Sequence, residues 1–207
     1  MPKEFDRELH VFKLPELRSV VDKAVLFFEN TPATMLPPPK FLGCGMYALY
    51  YFGDCAYYSK VSRLNQESCA IPIYVGKAMP PGRRTGRTTG SETAKLYGRL
   101  REHMRSIKRG SNIEVEGFRC RFMILEDVLS DLIVPTESEL IRKYHPLWNS
   151  VIDGFGNHDP GQGRYNQAPS EWDVLHPGRG WVQKLTGKPP DKEYVTAKVK
   201  QYLDTLA

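Results

Sequence analysis

Six side chains stand out by type and spacing: Tyr47, Tyr74, Arg99, His103, Glu137 and Asn149. Two phenols, an imidazole and a carboxylate can hold or move a proton, a guanidinium stays charged at any working pH, and a carboxamide both donates and accepts. Together they join acid–base groups to a fixed cation that can stabilise developing negative charge. Arg99 and His103 are four apart in a helical stretch, so they share one face. That face is offset from an apolar stripe of Leu96, Leu100, Met104 and Ile107. Taken singly, each residue has a plainer explanation. A strand tyrosine packs, and an Arg/His pair on a helix is solvated. Glu137 near a helix start partners the helix dipole, worth a few tenths to about 1 kcal/mol. Asn149 after Pro146 suits a turn.

The elements that must position these residues follow from local pattern. Residues 15–29 read as an amphipathic helix with Pro15 in its first turn and a stripe of Leu17, Val20, Val21, Ala24 and Phe28. TPATMLPPPK, residues 31–40, is a stiff extended linker. GMYALYYF, residues 45–52, and IPIYVG, residues 71–76, read as strands, with the polar stretch 53–70 between them. A helix over about 92–109 has Ser91 as N-cap and Gly110 at its end. FRCRFMIL, residues 118–125, is a third strand, and Pro135 and Thr136 open a helix through Tyr144 that His145-Pro146 ends. Residues 154–170 form a glycine-rich loop, a short helix follows near Trp172, and a last helix spans about 191–206. The expected fold is α/β or α+β: a small central three-stranded mixed or antiparallel sheet flanked by helices.

Charge is unevenly spread. The net charge is +5, yet residues 77–121 carry 12 basic and 4 acidic side chains, while residues 122–141 carry five acids and no base. A local surplus of this kind favours a polyanion over a purely solvated face. Lys77 directly follows the second strand, and Arg83, Arg84 and Arg87 sit in MPPGRRTGRTTGS, which is too rich in Gly and Thr to be a helix. Arginines on such a loop suit phosphate contacts or groove entry.

Composition excludes other classes. Apolar residues are 41% and charged residues 26% of 207, a globular balance and not a disordered one. No apolar run approaches the roughly 20 residues of a membrane span, and the charged start MPKEFDRELH is unlike a signal peptide. Cys44, Cys55, Cys69 and Cys120 lie far apart with no CxxC, which reads as reduced thiols. His145, His158 and His176 lack partners at metal spacing. A His-Asn-His metal finger from His145, Asn149 and His158 would need a ββα hairpin, and the glycines at 154, 156, 161 and 163 make this region a loop. His176, before Pro177, reads as structural.

The order Gly45-Met46-Tyr47, Tyr74-Val75-Gly76, Arg99-x-x-x-His103, then Glu137-Ser-Glu-Leu-Ile-Arg-Lys-Tyr-His-Pro-Leu-Trp-Asn149 resembles the GIY-YIG nuclease superfamily over about residues 43–150. Met46 and Val75 each replace an isoleucine of the motif. The 27-residue step from Tyr47 to Tyr74 exceeds the family's usual spacing, so 53–70 looks like an insertion. No zinc-ligand set or helix-hairpin-helix repeat accompanies the motif, so the chain is more similar to the type II restriction endonucleases than to the repair and junction-resolving branches. Within them it resembles the branch cutting CCGCGG. The resemblance implies a nuclease core at 41–150, with a helix and linker at 1–40 and an extension at 151–207, in one compact unit. It implies hydrolysis of double-stranded DNA at a palindromic, GC-rich site by a cytoplasmic bacterial homodimer, with Mg²⁺, replaceable by Mn²⁺, held by Glu137. Tyr47 is then the candidate base, assisted by His103. Tyr74 holds the water or a phosphate oxygen, Arg99 clamps the scissile phosphate, and Asn149 braces the site. Lys77, Arg83, Arg84 and Arg87 are the DNA contacts so implied. A non-catalytic nucleic-acid-binding module and a structure-specific repair nuclease are the alternative functions on this fold.

Overall fold

A computed structural model describes residues 5–82 and 92–206. Its centre is a four-stranded antiparallel sheet in the order β1-β4-β2-β3, with β1 at Thr34–Met35, β2 at Gly45–Tyr51, β3 at Tyr74–Ala78 and β4 at Phe118–Ile124. The helices are α1 (Glu16–Glu29), α2 (Ser59–Asn65), α3 (Lys95–Arg109), α4 (Ile133–Tyr144), α5 (Leu147–Ser150), α6 (Glu171–Leu175) and α7 (Lys192–Thr205). None of them is long and apolar enough to cross a membrane.

β2 organises the molecule. All seven of its residues are buried, which explains why it lacks an apolar–polar alternation. Successive side chains of a strand point to opposite faces. Tyr47, Leu49 and Tyr51 enter one apolar cluster, which includes Leu96, Leu100 and Ile107 of α3. Met46, Ala48 and Tyr50 enter a second, built with Val21, Val25 and Phe28 of α1 and Ile133 and Leu140 of α4. The sheet is thus covered on both sides, with α3 over the face that carries Tyr47. Residues beyond 150 belong to the same core, because Phe155, Trp172, Leu175, Val195 and Val199 join the first cluster.

The sheet has one strand more than the three expected. β1 lies within the stretch expected as an extended linker and pairs Thr34 with Cys120 and Met35 with Arg119. Two residues among prolines carry no period of their own, and β4 supplies the partner. On α1 the buried stripe is Val21, Val25 and Phe28, while Leu17 and Val20 remain 46% and 42% exposed. On α3, His103 is part of the buried stripe with Leu96, Leu100 and Ile107, not offset from it. α4 begins at Ile133, two residues before Pro135, which falls in a first turn where a missing N–H costs nothing. Glu137 is therefore in the second turn, and a first-turn dipole partnership does not account for it. The 53–70 insertion folds onto its own core: Tyr58 and Val61 are buried, and Asn65 is stitched to the carbonyls of Tyr51 and Ile71 at 3.1 and 3.0 Å.

Candidate active site

Tyr47 reaches the site because β2 is central and its glycine neighbour makes room. Gly76 is the register partner of Tyr47, and a Cβ on it would overlap the Tyr47 hydroxyl. The hydroxyl instead lies 2.5 Å from Nε2 of His103. Tyr74, two residues before Gly76 on β3, sits 6.2 Å from the Tyr47 ring and 5.2 Å from the His103 ring, centroid to centroid. Burial pushes both phenols above their ordinary range, Tyr47 strongly. For Tyr47 the second phenol and Glu137 add to this, and the Arg99 cation opposes it; for Tyr74, Arg99 opposes and Glu137 adds. Burial, then the charges of Arg99, His158 and Arg179, hold His103 well below the usual imidazole range. His103 is therefore a neutral imidazole at working pH, and its Nε2 can accept the hydrogen bond of the Tyr47 hydroxyl.

Arg99 lies one turn before His103 on α3. Burial disfavours its charge, but the two tyrosines and Glu102 more than offset that and keep it a firm cation. Its guanidinium donates to Glu102 at 2.9 Å, to the Gly156 carbonyl at 3.4 Å, and meets Nε2 of His158. Glu137 projects from α4, is 8% exposed, and forms an ion pair with Lys77 of β3. Asn149 closes the outer edge of β3: its Oδ1 accepts from the Val75 N–H at 2.7 Å and its Nδ2 donates to the Val75 carbonyl at 2.8 Å. It braces the backbone between Tyr74 and Gly76.

Tyr47, Tyr74, Arg99 and His103 thus converge, Glu137 is close enough for its charge to bear on both phenols, and Asn149 supports them through β3. Lys77 is held by the Glu137 carboxylate itself. Arg83, Arg84 and Arg87, with the expected N-cap Ser91, lie outside the described residues. His145 is the left-handed residue ending α4, and Asn149 is committed to Val75, so no finger forms with His158. His176 is structural: its Nε2 accepts from the Tyr58 hydroxyl at 2.5 Å and its Nδ1 donates to Asn112 at 2.6 Å.

Two residues join the site without any sequence signal. Phe155 lies flat against His103 at 4.6 Å between centroids, and His158 touches Arg99. Both come from the glycine-rich loop, more than 50 residues away along the chain, with no motif to tie them to α3.

Among the described residues no cluster of three or more His, Cys, Asp or Glu could hold a metal ion. Zinc is poorly served by such a site. A single hard carboxylate beside phenolic hydroxyls suits an ion that keeps most of its water shell. A buried acid–base pair, a fixed cation and one carboxylate on a small antiparallel sheet fit the chemistry of phosphodiester hydrolysis.

No curated protein matches this chain. A family described as the Eco29kI GIY-YIG domain matches residues 39–203, from just before β2 into α7 and well past the region that carries the motif. The chain therefore belongs to the Eco29kI GIY-YIG domain family of restriction endonucleases.

Proposed function

We propose that the protein is a type II restriction endonuclease, cutting both strands of duplex DNA at a palindromic, GC-rich site. CCGCGG, the site cut by Eco29kI, is the first to test. The observation that carries this reading is the buried Tyr47–His103 pair at 2.5 Å beside Arg99. A free phenol is a poor base near neutral pH. Here a neutral imidazole waits at its hydroxyl. Tyr47 takes a proton from the attacking water as its own proton passes to Nε2 of His103; burial opposes that transfer in the free protein, and the negative phosphate arriving beside the imidazole lowers its cost. Arg99 next to the pair offsets the negative charge on the phenol and on the phosphoryl oxygens. Tyr74 orients the water or a phosphate oxygen by its hydroxyl.

Glu137 would hold Mg²⁺, or Mn²⁺ in its place, and the bound ion would supply Lewis-acid stabilisation of the phosphate and of the leaving 3′-oxygen. Lys77 neutralises Glu137 in the free protein and turns to phosphate when DNA arrives. Arg83, Arg84 and Arg87 add phosphate contacts and readout of guanine edges, for which arginine is the preferred residue. A palindrome presents two equivalent phosphates, so a homodimer is the matching assembly.

Incubating the protein with plasmid and Mg²⁺, then sequencing the fragment ends, tests the reading. Discrete fragments with one repeated end sequence are expected. Binding without cleavage would mark a non-catalytic module, and cuts confined to junctions or flaps a repair-type nuclease; either sinks the proposal.

A further inference from the structure

The catalytic cluster is roofed by a stretch with no regular structure, residues 154–158. Phe155 within it is 1% exposed, lies at 16° to the His103 ring and stands edge-on to Tyr74 at 4.9 Å. Gly156 offers its carbonyl to Arg99, and a Cβ there would stand 3.0 Å from the Tyr74 hydroxyl. Ordering such a segment costs conformational entropy at every residue, and it has neither ladder nor helix to offset this.

Arg179 holds it. The residue is 1% exposed, and its guanidinium donates to three carbonyls of the stretch: Gly154 at 2.9 Å, Asn157 at 3.1 Å and Phe155 at 3.3 Å. Nε and Nη2 fork onto the two carboxylate oxygens of Asp173, each at 2.6 Å. The cation also lies over Trp172 and Trp181, 4.7 and 4.9 Å from the ring centroids. A buried ion pair is a poor source of net stability, since desolvation offsets most of the attraction. What this one supplies is geometry: five donors in a rigid plane meet a carboxylate and three carbonyls at once, which a lysine cannot do. The turn that carries Arg179 is fixed to α3 as well. Gly178, at φ +148°, passes so close that a Cβ would overlap the Arg109 carbonyl, and the Pro177 carbonyl accepts from Ser111 N at 3.0 Å. One turn therefore docks on the helix bearing Arg99 and His103 and grips the segment lying over them.

We propose that Arg179, anchored by Asp173, is a positioning residue for strand cleavage: through the 154–157 backbone it sets Phe155 against His103 and the Gly156 carbonyl against Arg99. It is too buried to touch DNA and acts only through these groups. The proposal rests on the nuclease reading above.

Arg179→Lys is the test, because it keeps a cation against Asp173 while losing the fork. Three quantities are read well below the melting temperature: single-turnover cleavage at saturating duplex, duplex affinity without divalent ions, and the His103 ring signals by NMR. The expected result is a cleavage rate down roughly 10- to 100-fold, as for a misplaced catalytic group. Affinity should stay within about twofold, as expected when only transition-state interactions are lost, and the His103 signals should shift as Phe155 leaves its face. Gly156→Ala leaves Arg179 and Asp173 intact, crowds Tyr74, and should give the same pattern. A lowered melting temperature with unchanged rate and unchanged His103 signals would make Arg179 a structural staple and overturn the proposal. If Arg179→Lys does not fold, Asp173→Asn, which loosens the anchor of Arg179 and touches no group at the cleavage site, decides by the same readouts. Wild-type protein that cuts no DNA sinks the nuclease reading, and the His103 signals of the variants still report whether the clamp sets the site.

Discussion

Tyr47 and Tyr58 each place a hydroxyl 2.5 Å from Nε2 of a buried histidine, His103 and His176, yet the two pairs do different work. The Tyr58 pair is closed at both ends by protein: the Trp148 indole donates to the hydroxyl at 3.1 Å, and Nδ1 of His176 donates to Asn112. The polar atoms are satisfied there, and among the described residues no carboxylate or guanidinium bonds to the pair. The Tyr47 pair lies beside Arg99 and within the field of Glu137. Tyr47→Phe strands one buried atom, Nε2 of His103, so it should cost about 1 kcal/mol of stability and leave duplex affinity near wild type while cutting cleavage of the folded protein by at least about 10². Tyr58→Phe should do the reverse, costing about 1–3 kcal/mol by stranding buried polar groups while single-turnover cleavage of the folded protein persists. Urea unfolding and cleavage assays on both variants check the contrast, and equal effects on cleavage would remove Tyr47 from the mechanism. Glu137→Ala belongs to the same scale. Its partner Lys77 is part-exposed and can be solvated once the carboxylate is gone. Cleavage should be abolished with the fold kept, and duplex binding should hold or tighten because a charge repelling phosphate is lost. Parallel loss of binding and cleavage would indicate misfolding instead.

β3 is an edge strand of the sheet, and Asn149 pairs the two Val75 backbone groups on its free side. Asn149→Ala should cost about 1–3 kcal/mol, the range for a buried group left unpaired. Cleavage should fall more than affinity, because Tyr74 and Gly76 flank the loosened residue; a urea titration and a single-turnover assay separate the two effects. The His176 latch joins the turn before α2 to the end of α6, and its titration can be read in stability. Burial first, then Arg179 and Lys192, push His176 down to about 3 from an ordinary 6.5. The unfolded chain takes that proton first, so this stability is complete above about pH 6.5 and drains as pH falls towards 3, by as much as about 5 kcal/mol. His103 contributes in the same direction. The urea midpoint should drop between pH 7 and pH 4.5, with a shallower slope in His176→Gln. Elements with a composition, stripe or stop signal of their own were legible in the sequence: β2 by its aromatic content, β4 by partial alternation, α1 and α3 by apolar stripes, and α4 by Pro135-Thr136 and His145-Pro146. The motif order placed Tyr47, Tyr74, Arg99, His103, Glu137 and Asn149 on them. β1 was not legible, because two residues take their conformation from β4. The burial of His103 was misjudged because an imidazole scores as polar, although its position completes the Leu96, Leu100, Ile107 stripe. Phe155 and His158 escaped because each meets its partner across a long chain separation that leaves no local pattern; Arg179 is only six residues from Asp173, but the carbonyls it grips lie 22 to 25 residues upstream.

At the scale of the whole molecule, one active site cuts one strand at a time, so the simplest complement to a palindrome is two sites related by a two-fold axis. Two additions to the motif, α1 and the insertion within the core, carry apolar side chains suited to that pairing. The insertion has spent its surface: Tyr58 and Val61 are core residues, and Tyr57 and Leu64 are half-buried. α1 has not. Leu17, Val20, Ala24 and Phe27 recur at steps of three and four, which puts them on one side of the helix. Leu17, Val20 and Phe27 are 46%, 42% and 63% exposed, while the neighbouring stripe of Val21, Val25 and Phe28 faces α4 and the sheet. Just upstream, Phe12 and Leu14 are exposed as well. An apolar helix face of this kind is self-complementary when a second copy is brought up antiparallel. A 14-residue helix is only about 21 Å long, so α1 alone falls short of the roughly 1,200–2,000 Å² of a stable interface, and the segment before it must contribute. The expected species on a palindromic duplex is a C₂ dimer closed by α1. Phe27→Glu with Val20→Glu sets like charges across the axis without touching the core or the catalytic cluster. Light scattering should then give one chain per particle, and plasmid should be nicked more slowly and no longer linearised in one binding event. A wild-type protein that stays monomeric on its duplex, or a doubly charged variant that still linearises plasmid as a dimer, would remove α1 from the interface and leave the active-site chemistry untouched.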